Sequence, residues 1–222
     1  MFFGSDNQGP VPEAVLEALR VANQGYAASY GADAITLDVV SRIQTLFEAP
    51  NAAVYLAATG TAANTLALAC LCPPWATIYC SPVAHIQEDE CNAPEFFTGG
   101  AKLNLVGSDD KLTPAALEQA ILGTAQGDVH GPQRGPVSLT QITEKGRIYT
   151  LSELSELCAV AKAYDLPVHM DGARFANAIA ALGCSAAEMT WRCGIDALTF
   201  GGTKNGLMGV EAVIFFDPKS AW

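Results

Sequence analysis

A lysine in a glycine-rich stretch is the residue best suited to do chemistry. Lys204 lies in FGGTKNGLMG (200–209), directly after an apolar run and with no acidic residue between positions 197 and 210. A poorly solvated amine in such a pocket is a nucleophile toward aldehydes and can form a Schiff base. The alternative is a lysine that simply reaches solvent from a loop.

A carboxylate follows another short apolar run, in LPVHMDGARFANA (166–178). The predicted strand ends at Met170, so Asp171 falls where the strand opens into a loop and a helix. Ligands of open α/β sheets bind at that edge. The alternative makes Asp171 the N-cap of the following helix, with Arg174 as its ion-pair partner.

A third segment, LAATGTAANTLALA (56–69), runs from a predicted strand through Thr59, Gly60 and Thr61 into a helix. Free N–H groups in a first helical turn with small side chains bind phosphate well. The segment matches neither the nucleotide P-loop nor the dinucleotide fingerprint. An amine, an acid and a possible phosphate cradle thus follow three strands of one predicted sheet.

The elements that must position these groups alternate between strand and helix patterns. Several strands are uncharged on both faces, which is typical of a mostly parallel sheet covered by helices, a three-layer α/β fold. The segment 33–48 predicts a helix with one apolar face formed by Ile35, Val39, Ile43, Leu46 and Phe47. Helix starts are predicted at Thr113, followed by a proline, and at Thr150 with Glu153 as a capping box. The predicted strands are AVYLA, TIYC, KLNLV, PVSLT, PVHM, ALTF and AVIFF.

Composition excludes several classes of function. The chain has 222 residues and a formal net charge of −11, so a nucleic-acid partner is not expected. The seven cysteines lack the paired spacing of a zinc site, which favours buried thiols in a reducing cytoplasm; we expect no metal site. Positions 49–87 contain no charged residue, but polar residues and prolines interrupt them, so they predict a buried core rather than a membrane span.

Together these motifs resemble the threonine aldolase (β-eliminating lyase) family of fold-type I enzymes, which depend on pyridoxal 5′-phosphate. The forms GSDN and TKNG are most similar to a divergent bacterial low-specificity branch. The resemblance covers essentially the whole chain. It rests on the segments YGAD (30–33), TGTAAN (59–64), AHIQEDECNAPEFFTGGAK (84–102), SLTQITEKGRIYT (138–150), HMDGARFANA (169–178) and FGGTKNG (200–206).

The resemblance implies a cofactor site. Lys204 would hold the cofactor through a carbon–nitrogen double bond, with Thr203 beside it. Asp171 would pair with the pyridine nitrogen and keep it protonated. Gly60 and Thr61 would bind the phosphate.

The resemblance also implies a substrate site. His85 would stack on the ring face and act on protons, and His130 would lie near the substrate hydroxyl. Arg174 would bind the substrate carboxylate with two prongs, with Ser5 near the same group. Tyr30 would lie near a dimer boundary and contribute to the neighbouring subunit's site.

Taken without the family, some of these residues have other interpretations. His85 lies before the acidic run Glu88 to Glu90 and could form a surface ion pair with it. Tyr30 could be an ordinary core aromatic. His169 is interpreted as a packing or supporting residue and is left out of the site.

The function implied is retro-aldol cleavage of L-threonine, L-allo-threonine or related β-hydroxy-α-amino acids to glycine and an aldehyde. The alternatives are a phenylserine aldolase, a β-eliminating lyase, or an inactive remnant that binds the cofactor. We expect an N-terminal segment (1–20), a large cofactor-binding domain (21–222) and no C-terminal small domain of the kind that the family carries. The expected partners are a small amino-acid substrate and further copies of the chain, in a homodimer or homotetramer.

Overall fold

The computed structural model describes residues 4–221. Residues 1–3 of the predicted N-terminal segment, and Trp222, lie outside that range. Helix α1 (Glu13–Ala22) runs across the predicted boundary at residue 20, which stays a prediction.

A seven-stranded sheet forms the centre of the described residues, and each predicted strand is present. The strands are β1 (Ala53–Ala57), β2 (Ala76–Cys80), β3 (Lys102–Leu105), β4 (Gln133–Thr140), β5 (Val168–Gly172), β6 (Ala197–Gly201) and β7 (Glu211–Phe215). Their order is β1-β7-β6-β5-β4-β2-β3. The pairs from β6 to β3 are parallel, and β7 is antiparallel to both of its neighbours. The prediction of a mostly parallel sheet is confirmed.

Helices cover both faces of the sheet. After α1 they are α2 (Ala34–Leu46), α3 (Gly60–Leu71), α4 (His85–Glu88), α5 (Ala93–Phe97), α6 (Pro114–Gly123), α7 (Leu151–Ala163) and α8 (Phe175–Leu182). Alternate residues of β7 show the two layers, since Ile214 joins the core under α2, α6, α7 and α8 whereas Val213 packs against α3. This is the three-layer arrangement that the sequence predicted. No helix within residues 4–221 is long and apolar enough to cross a membrane.

The predicted helix starts are also confirmed. The Thr113 hydroxyl accepts a hydrogen bond from the Ala116 amide, with proline at the first helical position. Thr150 and Glu153 form a complete capping box. Both caps satisfy amide donors that have no partner inside the helix.

The predicted apolar face of α2 is only partly buried. Phe47 and Ile43 lie in the core and Val39 packs against it, but Ile35 and Leu46 are exposed in the single chain. Periodicity identified the helix correctly. It did not show that only part of the apolar stripe meets the sheet.

Candidate active site

A cavity of about 300 Å³ lies at the carboxyl end of the parallel strands. It is formed by the turn after β1, by α4, by the end of β5 and by the loop between β6 and β7. Its walls therefore come from segments far apart in sequence that the sheet brings together. The residues that line it are Asn7, Ala58, Thr59, Gly60, Thr61, Asn64, His85, Glu90, Asp171, Ala173, Thr203, Lys204, Gly209 and Glu211.

Lys204 enters the cavity from a single 3-10 turn, Thr203–Asn205, that follows β6. The turn is tied down on both sides. Buried Glu211 accepts a hydrogen bond from the Gly202 amide at 2.8 Å, and the Thr203 hydroxyl accepts one from the Val210 amide at 3.2 Å. Among the described residues Lys204 forms no salt bridge, so its amine is available to a bound molecule.

Asp171 lies near the end of β5 and is 3% exposed. Its Oδ1 accepts a hydrogen bond from the Ala173 amide at 3.0 Å, and its Oδ2 accepts one from the Asn64 side chain at 2.9 Å. Because α8 begins at Phe175 with Arg174 as its N-cap, the alternative that Asp171 caps this helix is wrong. The carboxylate instead faces the cavity, held by two donors.

The first turn of α3, where the sequence predicts an anion cradle, lines the cavity. The Thr59 hydroxyl accepts a hydrogen bond from the Ala62 amide at 3.1 Å and caps the helix. The Gly60 and Thr61 amides have no hydrogen-bond acceptor among the described residues, and both residues line the cavity. Unpaired N–H groups at the positive end of a helix are a site for a phosphate.

His85 is the first residue of α4, and its backbone amide donates to Glu144 Oε1 at 2.7 Å. Its Nδ1 lies 2.9 Å from Glu90 Oε1. That hydrogen bond raises the pKa of His85 above its ordinary value, although burial opposes the shift. The acidic run does supply the partner, but the surface ion pair is a wrong interpretation because Glu90 is 3% exposed.

His169 is completely buried within the sheet beneath the site. Its Nδ1 lies 3.0 Å from the Ser138 hydroxyl and its Nε2 lies 3.1 Å from the Thr199 hydroxyl. Burial lowers the pKa of His169 to about 4, despite the nearby Asp171 charge. His169 is thus a neutral, buried residue outside the cavity, which agrees with its interpretation as a packing or supporting residue.

Arg174 and Ser5 lie beside the cavity rather than in its wall. Arg174 Nε lies 2.7 Å from Asp6 Oδ2, so its partner is Asp6 and not Asp171. This hydrogen bond lowers the pKa of Asp6. The Ser5 hydroxyl accepts a hydrogen bond from the amide of Asn7, which lines the cavity.

The structure does not bring His130 and Tyr30 to this cavity within the chain. His130 precedes β4, whereas Asp171 pairs with Thr140 at the far end of that strand. Eight strand residues at about 3.3 Å each separate the two edges by roughly 20 Å or more. Within the single chain His130 therefore lies far from this cavity, and its predicted place near the substrate hydroxyl stays a prediction. Tyr30 is fully exposed, so the alternative of a core aromatic is wrong.

Sequence reasoning missed three polar residues of the site, Asn64, Glu90 and Glu211. Asn64 lies one helical turn after Gly60, on the side of α3 that faces the sheet, and this spacing was the signal available for it. Glu90 is the last member of an acidic run that looks solvated in the sequence. Glu211 lies opposite Gly201 in the antiparallel pair of β6 and β7, a register that the sequence does not reveal.

The arrangement can hold a phosphorylated ring that carries an aldehyde. It offers an amine for the aldehyde, a buried carboxylate for a ring nitrogen and unpaired amides for a phosphate. Possible ligand atoms of His85, Glu90 and Asp171 also lie within 4.8 Å of one another. Because all three groups already form hydrogen bonds within the chain, they do not favour a metal centre.

The fold and the site define an α/β protein with a cavity at the carboxyl edge of its parallel strands, and a lysine and an aspartate both line it. The chain belongs to the beta-eliminating lyase family, whose model matches residues 3–221. This agrees with the resemblance found in the sequence motifs.

Individual relatives agree with the family. The chain is 44% identical over 220 residues to a low specificity L-threonine aldolase of a Pseudomonas species, covering 99% of this chain and 63% of the relative. It is 45% identical over 216 residues to the Pseudomonas aeruginosa protein of the same name, covering 97% and 62%. A structure of Leishmania major threonine aldolase superposes with a TM-score of 0.90 at 28% identity, covering 98% of this chain and 63% of that one. The chain therefore spans less than two thirds of the length of these relatives.

Proposed function

We propose that this chain binds pyridoxal 5′-phosphate and cleaves β-hydroxy-α-amino acids, such as L-threonine or L-allo-threonine, to glycine and an aldehyde. The observation that carries the proposal is that Lys204, Asp171 and the first turn of α3 all line one cavity. The similarity to threonine aldolases of two bacteria and of Leishmania major supports it.

The cofactor would be held by groups that match its three functional parts. The Lys204 amine would bind the aldehyde carbon, Asp171 would accept a hydrogen bond from the ring nitrogen, and the Gly60 and Thr61 amides would bind the phosphate. Thr203 would contribute to the wall, since its hydroxyl is engaged with Val210. When bound, the cofactor would supply a ring that accepts the electron pair released as the Cα–Cβ bond breaks.

Orientation of the substrate falls to Arg174. Its guanidinium would bind the substrate carboxylate in a two-pronged contact, with Ser5 alongside, and would set the Cα–Cβ bond perpendicular to the ring. Asp6 now pairs with this guanidinium. The substrate carboxylate would therefore share Arg174 with Asp6 or displace it.

Proton transfer falls to His85. Its Nδ1 is hydrogen-bonded to Glu90, so Nε2 is the nitrogen free to accept the proton of the β-hydroxyl group. The His85 side chain lines the cavity, which supports its role as the base.

We further propose that the chain acts as a homodimer or homotetramer in the cytoplasm. Large apolar side chains are exposed on α1, on the segment that follows it and on α2, including Leu19, Tyr26, Tyr30 and Ile35. Large apolar side chains left exposed to solvent in one region of the chain favour a surface that another chain covers. Tyr30 would then contribute to the site of the neighbouring copy.

The test is to incubate the chain with cofactor and L-threonine and to identify the products. Equimolar glycine and acetaldehyde are expected, with none formed by the Lys204→Ala variant. Ammonia and a 2-oxo acid would instead indicate a β-eliminating lyase, and a preference for phenylserine would indicate a phenylserine aldolase. A yellow protein that leaves all these substrates unchanged would be an inactive cofactor-binding remnant.

A further inference from the structure

A buried asparagine joins two carboxylates at the back of the cavity. The Asn64 side-chain nitrogen donates to Glu90 Oε1 at 2.8 Å and to Asp171 Oδ2 at 2.9 Å. An amide nitrogen has two hydrogens, so each carboxylate receives one. If the amide were flipped, its oxygen would face the two carboxylate oxygens, and none of the three could donate. The orientation with the nitrogen toward the carboxylates is therefore the one that forms hydrogen bonds.

The same oxygen of Glu90 extends the contact to His85, whose Nδ1 lies 2.9 Å away. The hydrogen bonds thus run without a break from Asp171 through Asn64 and Glu90 to His85. The three residues Asn64, Glu90 and Asp171 are at most 3% exposed. The residues at both ends of this hydrogen-bond network, Asp171 and His85, line the cavity.

A purely structural role does not explain the network well. Removing carboxylates from water costs several kcal/mol per ion, and well-packed apolar residues of similar volume usually replace buried charges without loss of stability. Moreover, Glu90 Oε2 and Asn64 Oδ1 are buried without a hydrogen-bond partner among the described residues. Buried polar groups with such costs cluster at functional sites.

We propose that Glu90 and Asn64 are positioning residues, which hold the proton of His85 on Nδ1 and couple the orientation of His85 to that of Asp171. This inference rests on the proposed function, because His85 and Asp171 are the groups that would act on the substrate and the cofactor. Glu90 turns the imidazole so that Nε2 faces bound molecules as a proton acceptor. Asn64 keeps the two carboxylates apart. The remaining lone pairs of the Asp171 carboxylate are then left to accept a hydrogen bond from the ring nitrogen.

Several charged groups surround His85. The hydrogen bond to Glu90 is the largest cause of its raised pKa, the Asp171 charge acts in the same direction, and Lys204 acts in the opposite one. The Glu144 carboxylate accepts a hydrogen bond from the backbone amide of His85. Replacing Glu90 by glutamine removes its charge while keeping a side chain of the same size, so it isolates the contribution of the carboxylate.

The first experiment uses the chain without cofactor. NMR of the chain carrying ¹⁵N-labelled histidine reports the tautomer and the pKa of His85. The measurement is made on the wild type, on Glu90→Gln and on the control Glu88→Gln, which changes an exposed residue on the helix that contains His85. The wild type should carry the His85 proton on Nδ1. In Glu90→Gln the pKa should fall by about 1 unit or more, as expected when an adjacent opposite charge is lost. Glu88→Gln should match the wild type.

The second experiment measures activity and cofactor affinity. Glu90→Gln should lower kcat by about 100-fold, the scale of a misplaced catalytic group, and change KM for threonine less than threefold. Asn64→Ala should leave the tautomer of His85 unchanged but weaken cofactor binding by about tenfold, the loss expected when Asp171 is no longer held in place. Asn64→Ala also provides a second test should Glu90→Gln fail to fold.

The inference is overturned if His85 keeps its tautomer and pKa in Glu90→Gln, or if both variants lose only stability while kcat and cofactor affinity match the wild type. Failure of the proposed function gives a different result. In that case the wild type would neither bind the cofactor nor cleave threonine, while the NMR measurement would still decide whether Glu90 controls His85.

Discussion

Asp171 and Lys204 line the same cavity from the carboxyl ends of two neighbouring parallel strands, β5 and β6. Parallel pairing brings the two strand ends to one edge of the sheet, which explains why distant parts of the chain meet. Asp171 is fixed by two hydrogen bonds, and Lys204 projects from a single turn tied to Glu211 and Val210. The two side chains therefore face one cavity, each from a segment held by hydrogen bonds.

Asp171→Asn should separate charge from shape. The asparagine would fill the same volume and could still accept the Ala173 hydrogen bond, so the fold should be retained. The positive charge on a ring nitrogen would lose its partner, and kcat for threonine should fall roughly 100-fold or more, comparable to the loss of a single group that stabilises transition-state charge. Steady-state kinetics and circular dichroism check this. Wild-type activity in a folded variant would contradict the role of Asp171.

Arg174→Lys should affect substrate binding more than chemistry. Lysine keeps the positive charge but lacks the planar guanidinium group, which can donate two parallel hydrogen bonds to a carboxylate. We expect KM for threonine to rise about tenfold, with cofactor affinity unchanged because Arg174 does not line the cavity wall. Arg192→Lys, at an exposed ion pair with Glu48, is the matched control. Equal KM values in the two variants would contradict the assignment.

Gly201 tests a packing requirement next to the site. A Cβ built on Gly201 would lie 2.3 Å from the Ala173 carbonyl oxygen, whereas one built on Gly60 would have nothing within 4 Å. Gly201→Ala should therefore lower the free energy of unfolding by roughly 2 kcal/mol or more, the scale of an overpacked core. Gly60→Ala should change it by about 0.5 kcal/mol or less. Urea denaturation measures both, and equal values would contradict this requirement.

The buried His169 should make the protein acid-labile. Its pKa is lowered to about 4 in the folded chain because burial disfavours the charged imidazole, while the unfolded chain keeps an ordinary value near 6.5. Between these values the unfolded chain binds more protons, so stability falls as the pH falls from about 6.5 to about 4, by about 3 kcal/mol from this group. Unfolding by urea at several pH values should show a shallower slope for His169→Gln. An unchanged slope would contradict the assignment.

The sequence was sufficient to predict all seven strands and the residues at their ends. Uncharged runs bounded by turns mark buried strands, and groups directly after such strands must lie at the carboxyl edge. This explains why Lys204, Asp171 and Gly60 were identified together. Their spacing follows from local order along the chain, which a sequence displays directly.

Long-range contacts account for what sequence reasoning missed. Glu90 looked exposed because its neighbours in the acidic run are charged, yet contact with Asn64 buries it. His130 was placed beside the substrate by resemblance, although a residue that precedes a parallel strand lies at the opposite edge from one that follows it. Ile35 and Leu46 show a further limit, since periodicity marks an apolar face without showing what covers it.

The central claim is that Lys204 forms a reversible covalent bond with the cofactor, and chemical trapping tests it most directly. The chain is incubated with pyridoxal 5′-phosphate, reduced with borohydride, digested and analysed by mass spectrometry, alongside Lys204→Ala and the exposed control Lys219→Ala. We predict one phosphopyridoxyl group on the peptide that contains Lys204 in the wild type and in Lys219→Ala, and none in Lys204→Ala. Specific labelling of another lysine, or undiminished labelling of Lys204→Ala, would contradict the account.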